Sequence, residues 1–226
     1  MNTGILFLVA TPIGNLDDIT FRAVKILKEV DIIACEDTRK ASILLNHYQI
    51  NKKLISYFEH NEKERSAYLI ENLLSGRNIA LISNAGSPLI SDPGFELVNQ
   101  CIKNNIKIEV IPGACALIAA FTISGLPTDR LFFTGFLPRK TSKRKKRIEE
   151  ISGYSSTTVI YESPYRLRHT LENLKEILGN RQIAVIREIT KIHEEVIRGT
   201  IEEVLKIIDD RKIKGEIVIV VKGAPD

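Results

Sequence analysis

The sequence predicts an α/β protein of two domains, and three observations carry that reading. Through the first half of the chain, short apolar runs bounded by turn formers alternate with amphipathic stretches, the pattern of a largely parallel sheet covered by helices. In the second half the apolar runs lie closer together, which predicts a mixed sheet. The change falls near residue 115, giving domains of residues 1–114 and 115–226; with 226 residues, 44% of them hydrophobic, the chain can bury a full core.

In order, residues 4–10 are an apolar run and read as a strand, and 18–29 carry helical spacing. Residues 30–35 form a second strand, followed by helices over 38–47 and 61–75. The run 78–83 is short, apolar and bounded by turn formers, so it reads as a buried strand. Helical spacing resumes over 93–103, and a strand covers 106–111. After Pro112 and Gly113 the small-residue stretch ACALIAAFTISG reads as a helix. Strands follow near 131–136, 157–162, 182–187, 194–199 and 215–222, with helices at 142–152, 164–178 and 200–209.

Composition excludes several classes. No apolar stretch reaches the roughly 18 residues that span a bilayer. The start, MNTGILFLVATPIG, lacks a basic leader and runs straight into a strand pattern, which predicts a cytoplasmic protein. Cys35, Cys101 and Cys115 form no CxxC pair and read as buried thiols, and His193-Glu194-Glu195 is not HExxH, so no metal site is expected. There is no GxxxxGK[ST], GxGxxG or GxSxG loop.

The most informative loop is LISNAGSPLISDPG, residues 81–94, where an apolar strand gives way to glycines and prolines before a helix. Gly86 and Gly94 permit positive φ or close approach of a ligand, and Pro88 and Pro93 remove amide donors. Ligands of open α/β sheets bind at carboxyl strand ends. Three further strand-end loops, Thr11 to Asn15, Glu36 to Arg39 and Pro112 to Ala116, are placed to line the same cleft. The plain structural reading of Glu36, Asp37 and Arg39 is helix capping, with Asp37 or Thr38 as N-cap. Tyr161 to Arg166 and Arg187 to Lys191 end two later strands, with a capping role open for Ser163 and a solvated edge for the latter.

Charge is segregated. The stretch RKTSKRKKR, residues 139–147, holds seven of the basic residues and no acid, and setting them aside takes the net charge from +4 to −3. Such a run is either a solvated segment or a clamp on nucleic-acid phosphates. Without adjacent aromatic residues it reads as a backbone clamp rather than a base reader.

Read in order, VATPIGNLDDITFRA, EDTR, ISNAGSPLISDPGFELV, IPGACALIAA, SGLPTDRLFFTGFLPRK, YESPYRL, REITKIHEE and KGEIVIVV closely resemble the bacterial ribosomal RNA small subunit methyltransferase I family. The resemblance implies the tetrapyrrole methylase fold, a class III methyltransferase of two α/β domains with S-adenosylmethionine in the cleft between them. It further implies 2′-O-methylation of a cytidine ribose in the decoding region of 16S rRNA within the small ribosomal subunit, and a homodimer.

By the same resemblance, Gly86, Ser87, Pro88, Leu89 and Ile90 contact the cofactor, together with Asn84. Ala114, Cys115 and Ala116 form a second cofactor segment, Thr11 and Pro12 a floor, and Ile160 and Tyr161 an opposite wall. Asn84 stands where many members carry Asp, which removes a negative charge near the sulfonium. Glu36, Asp37 and Glu188 are candidates for the general base, with Arg39 and Lys191 holding phosphate or orienting the ribose. Arg139, Lys140, Lys143, Arg144, Lys145, Lys146 and Arg147 are the expected RNA contacts. The competing expectations are a tetrapyrrole methylase, which gives no reason for the basic run, and a non-catalytic RNA-binding or ribosome-assembly protein.

Overall fold

The computed structural model describes residues 3–209 and 211–225. The chain divides into two compact units, one running through Cys115 and the other from Ala116. In the first, β1 (Ile5–Val9) leads through a 3-10 turn at Leu16–Asp18 to α1 (Phe21–Glu29), β2 (Ile32–Cys35) and α2 (Thr38–His47). Then come β3 (Lys53–Ser56), α3 (Glu62–Leu74), β4 (Ile79–Ile82), α4 (Phe95–Lys103) and β5 (Lys107–Ile111). The strands form a parallel sheet in the order β3-β2-β4-β1-β5.

This topology locates the binding edge. From β1 the chain passes through α1 to β2, toward one side of the sheet; from the adjacent β4 it passes through α4 to β5, toward the other. The carboxyl ends of β1 and β4 are thus a topological switch point, where helices on opposite faces leave a crevice. Each face has its own core. Leu6, Ile32, Leu81 and Ile79 pack against α3 and α4 through Leu69, Leu73 and Leu97. Phe7, Val9, Ile33 and Ile82 pack against α1 and α2 through Leu27, Ala41 and Leu45. Burial on both faces explains why β2 and β4 read as unbroken apolar runs.

β3, absent from the sequence reading, is an edge strand of sequence KLIS in which only Ile55 is buried. A polar edge strand of this kind carries no apolar run to detect. α4 begins at Phe95, two residues later than expected, because Pro93 and Gly94 at φ 139° shape the entry to the helix rather than its first turn.

The second unit contains α5 (Ala116–Ile123), β6 (Leu131–Phe136), α6 (Thr141–Ile151), β7 (Thr157–Glu162) and α7 (Leu167–Leu178). β8 (Gln182–Arg187), β9 (Glu195–Thr200), α8 (Ile201–Asp209) and β10 (Ile217–Val221) follow. Its sheet runs β6-β7-β10-β8-β9; β6 and β7 are parallel and the remaining pairs antiparallel, a mixed sheet as the strand spacing predicts. Ile160, Val185 and Ile219 meet Leu171 and Leu174 of α7 and Val204 of α8 in one core. The basic run is helical: Thr141 to Arg147 form the first turns of α6, whose inner face is Arg144, Ile148 and Ile151.

Candidate active site

In the first unit, four segments predicted as strand-end loops meet at the switch point. Thr11 and Gly86 form an isolated antiparallel bridge, with Thr11 N donating to Gly86 O at 2.9 Å and Gly86 N to Thr11 O at 3.0 Å. The Ser87 hydroxyl donates to the Ala114 carbonyl at 3.4 Å, tying the third segment in. A Cβ on Gly86 would lie 3.2 Å from Ile13 Cγ2, a tight contact, and its φ of +83° is one that L side chains rarely adopt, so a side chain at this crossing would be strained. Pro12, next to Thr11, is buried. Leu89 adopts φ 68° and turns its side chain toward the core. It therefore offers only its backbone to a ligand, while Pro88 and Ile90 are half-buried on either side.

The fourth segment brings carboxylates. Asn84 Nδ2 donates to Glu36 Oε2 at 2.6 Å. Asn84 is thus more than the absence of a charge: it is the donor that holds Glu36, a role an Asp would perform only by sharing a proton. Asp37 caps α2, accepting from Arg39 N at 2.9 Å, and also binds the Arg39 guanidinium at 2.8 and 3.1 Å. Those hydrogen bonds to Arg39 hold its carboxyl down at about 2, too low for an effective proton acceptor at neutral pH.

Asp92, which the sequence reading did not single out, behaves oppositely. Burial, then the charge of Glu36, push its carboxyl up to about 6 against a hydrogen bond with Ser83. Ser83 Oγ also lies 3.0 Å from the Gly86 carbonyl, so its single proton is directed there when Asp92 carries one of its own. The loop bearing Asp92 is fixed by positive φ at Leu89 and Ser91 and by Glu62, which accepts from Gly94 N at 2.7 Å. The sequence signal for Asp92 is its place in the SDPG turn of the glycine- and proline-containing loop that follows β4.

In the second unit, Tyr161 Oη accepts from Leu117 N at 3.0 Å at the start of α5, beside Ala116, and its ring contacts Phe133 and Phe136 edge-on. Ile160 is fully buried in the core, so its side chain cannot wall a ligand; the alternation of a strand sends it inward while Tyr161 faces out. Glu188 and Lys191 form a clamp. Lys191 Nζ lies 3.0 Å from Glu188 and 2.9 Å from Glu216, and Glu188 accepts from Glu216 N at 2.8 Å. Burial alone would raise Glu188, but that amide and the Lys191 ammonium outweigh it and keep the carboxyl below its ordinary range.

Arg144 corrects the expected phosphate clamp. It is buried, with Nε on Asn173 Oδ1 at 2.9 Å and Nη1 on Arg139 O at 3.3 Å, because its place on the inner face of α6 turns it toward α7. Lys145 pairs with Glu176 at 2.6 Å and Arg147 with Glu150 at 3.3 Å. Arg139, Lys140, Lys143 and Lys146 are exposed and have no acidic partner among the described residues. Cys35 and Cys101 are buried, as expected of such thiols, whereas Cys115 is half-buried.

A family model described as Tetrapyrrole (Corrin/Porphyrin) Methylases matches residues 6–205. A Halalkalibacterium halodurans protein named ribosomal RNA small subunit methyltransferase I is 51% identical over 97% of this chain and 76% of its own length. Its namesake in Haemophilus influenzae is 48% identical over 99% of this chain and 80% of its own. The chain belongs to the ribosomal RNA small subunit methyltransferase I family.

Members of the ribosomal RNA small subunit methyltransferase I family are methyltransferases that use S-adenosylmethionine, and this chain is one of them. The fold is shared more widely. Uroporphyrin-III C-methyltransferase from Thermus thermophilus, solved with S-adenyl homocysteine, aligns over 97% of both chains with a TM-score of 0.67 at 18% identity. The residues at the switch point suit such a cofactor. Gly86, Ser87 and Ala114 present backbone without bulk, and the carboxylates of Glu36 and Asp92 would suit a cationic sulfonium.

Proposed function

We propose that this chain transfers a methyl group from S-adenosylmethionine to the 2′ oxygen of a cytidine ribose in the decoding region of 16S rRNA, on the assembled small subunit in the cytoplasm. The observation that carries the reading is the 51% identity over 97% of the chain to a relative named for the small-subunit RNA. A homodimer is part of the same reading.

S-adenosylmethionine supplies a methyl carbon made electrophilic by its sulfonium. Thr11, Pro12, Gly86, Ser87, Ala114 and Cys115 would hold it through main-chain groups at the switch point. Asp92 takes the proton from the ribose hydroxyl; a carboxyl near 6 is ionised at neutral pH yet remains a usable base. Glu36, steadied by Asn84, keeps that proton affinity high. Asp37 holds the exposed Arg39 guanidinium, which orients the ribose. Glu188 and Lys191 fix the loop between β8 and β9 and leave proton transfer to Asp92.

The test is transfer of labelled methyl from S-adenosylmethionine to purified unmethylated small subunits, with the modified nucleotide mapped and deproteinised 16S rRNA run in parallel. Label on one cytidine 2′ oxygen in the decoding region is the expected result. Label on a base, or none on either substrate, overturns the reading.

A further inference from the structure

Tyr165 is 93% exposed in the turn between β7 and α7, the kind of position where an isolated aromatic side chain usually needs no explanation. Here its surroundings supply one. β6 and β7 are parallel neighbours with Phe136 opposite Tyr161, so the segments that leave them, Leu137 to Lys140 and Ser163 to Arg166, emerge at the same end of the sheet. Phe136 at that end is also exposed.

The two segments are locked together by buried charge. Glu162, whose side chain is wholly buried, accepts from Arg166 Nε at 2.7 Å, Thr170 Oγ1 at 2.7 Å and Ser163 N at 2.8 Å. Arg166 in turn donates through Nη1 to Leu137 O at 3.1 Å, and Arg144 reaches Arg139 O. Buried ion pairs contribute little net stability but fix geometry where one partner addresses several groups. The backbones on both sides of Tyr165 and Arg139 are therefore rigid, while both side chains project into solvent. Lys140 follows Arg139 directly and Lys143 and Lys146 lie further along α6, none with an acidic partner among the described residues.

A rigid, exposed aromatic ring beside free cations matches single-stranded RNA, whose unstacked bases offer faces that a duplex hides. We propose that Tyr165 is a stacking face for an unpaired base of the substrate RNA, with Arg139 and Lys140 holding the phosphates beside it. The inference rests on the RNA reading above and adds a base contact to what sequence alone suggested was a pure backbone clamp. The aromatic partner was hidden because Tyr165 is separated from the basic run along the chain and joined to it only through Arg166 and Leu137.

The test uses the full chain and a short single-stranded RNA carrying one 2-aminopurine, alone and annealed to its complement. The native chain and Tyr165→Phe should quench the fluorophore on the single strand and not on the duplex. Tyr165→Ala and Tyr165→Leu should bind about 5- to 100-fold more weakly without quenching. S-adenosylhomocysteine affinity should stay unchanged in all variants, which the exposure of Tyr165 makes accessible without refolding. Equal binding of single strand and duplex, or Tyr165→Leu behaving as native, overturns the proposal alone. A native chain that binds no RNA overturns it together with the RNA reading. Loss of methylation on subunits with RNA binding intact assigns Tyr165 to a protein contact and overturns it as well.

Discussion

At Asp92 burial and the negative Glu36 act in the same direction, and both disfavour the ionised carboxylate. The group titrates near 3.8 when free and about 6 in the fold, so between those values the folded chain binds the extra proton. Stability therefore falls as pH rises from about 4 to about 6 and stays lower above, by roughly 1–2 kcal/mol once solvent screening of the half-buried carboxyl is allowed for. Asp92→Asn should thus unfold at higher denaturant near pH 7.5, gaining about 1–2 kcal/mol, while losing at least ~100-fold in methyl transfer. Native activity should rise with pH through about 6, and that rise should vanish in the variant's residual rate. A stabilised but fully active Asp92→Asn removes Asp92 from the mechanism. At this scale the sequence exposed residue types without their partners. Glu36 and Asn84 are 48 positions apart and meet only when β2 and β4 pair, and the burial that distinguishes Asp92 from Asp37 has no trace in the chain's order.

The basic helix shows what an element adds to a string of charges. RKTSKRKKR has no periodicity that announces its inner face, yet helical spacing from Ile148 and Ile151 sends Arg144 inward and Lys143 and Lys146 outward. Arg144→Ala should cost about 1–3 kcal/mol in chemical denaturation, because Asn173 Oδ1 loses its charged partner, and should change RNA affinity little at matched folded fraction. Lys143→Ala with Lys146→Ala should do the reverse, leaving the denaturation midpoint in place and weakening RNA binding. Interchanged outcomes would place the clamp on the wrong face of α6. Most other elements were legible because strands buried on both faces read as unbroken apolar runs and amphipathic helices repeat at 3.6 residues. β3 escaped because an edge strand need bury only one residue, and α7 starts three residues late because Ser163 to Arg166 are spent on the turn that positions Tyr165.

For the molecule as a whole, the parallel and mixed sheets were readable from strand spacing, since a parallel crossover needs a helix between strands and an antiparallel pair does not. Its electrostatics were less so. Setting aside the basic run leaves a net charge of −3, so long-range attraction to RNA depends on a small set of cations rather than on the whole surface. Three of the seven are engaged within the fold: Arg144 with Asn173, Lys145 with Glu176 and Arg147 with Glu150. Binding to single-stranded RNA should release counterions from the phosphates met by Arg139, Lys140, Lys143 and Lys146, giving a slope of log K against log salt of about −3. If all seven met phosphates the slope would approach about −5. Titrating one RNA at several salt concentrations distinguishes the two. The Lys143→Ala, Lys146→Ala double variant should bring the slope to about −1.5, whereas Tyr165→Ala should lower affinity at every salt concentration and leave the slope unchanged, because stacking displaces no counterions.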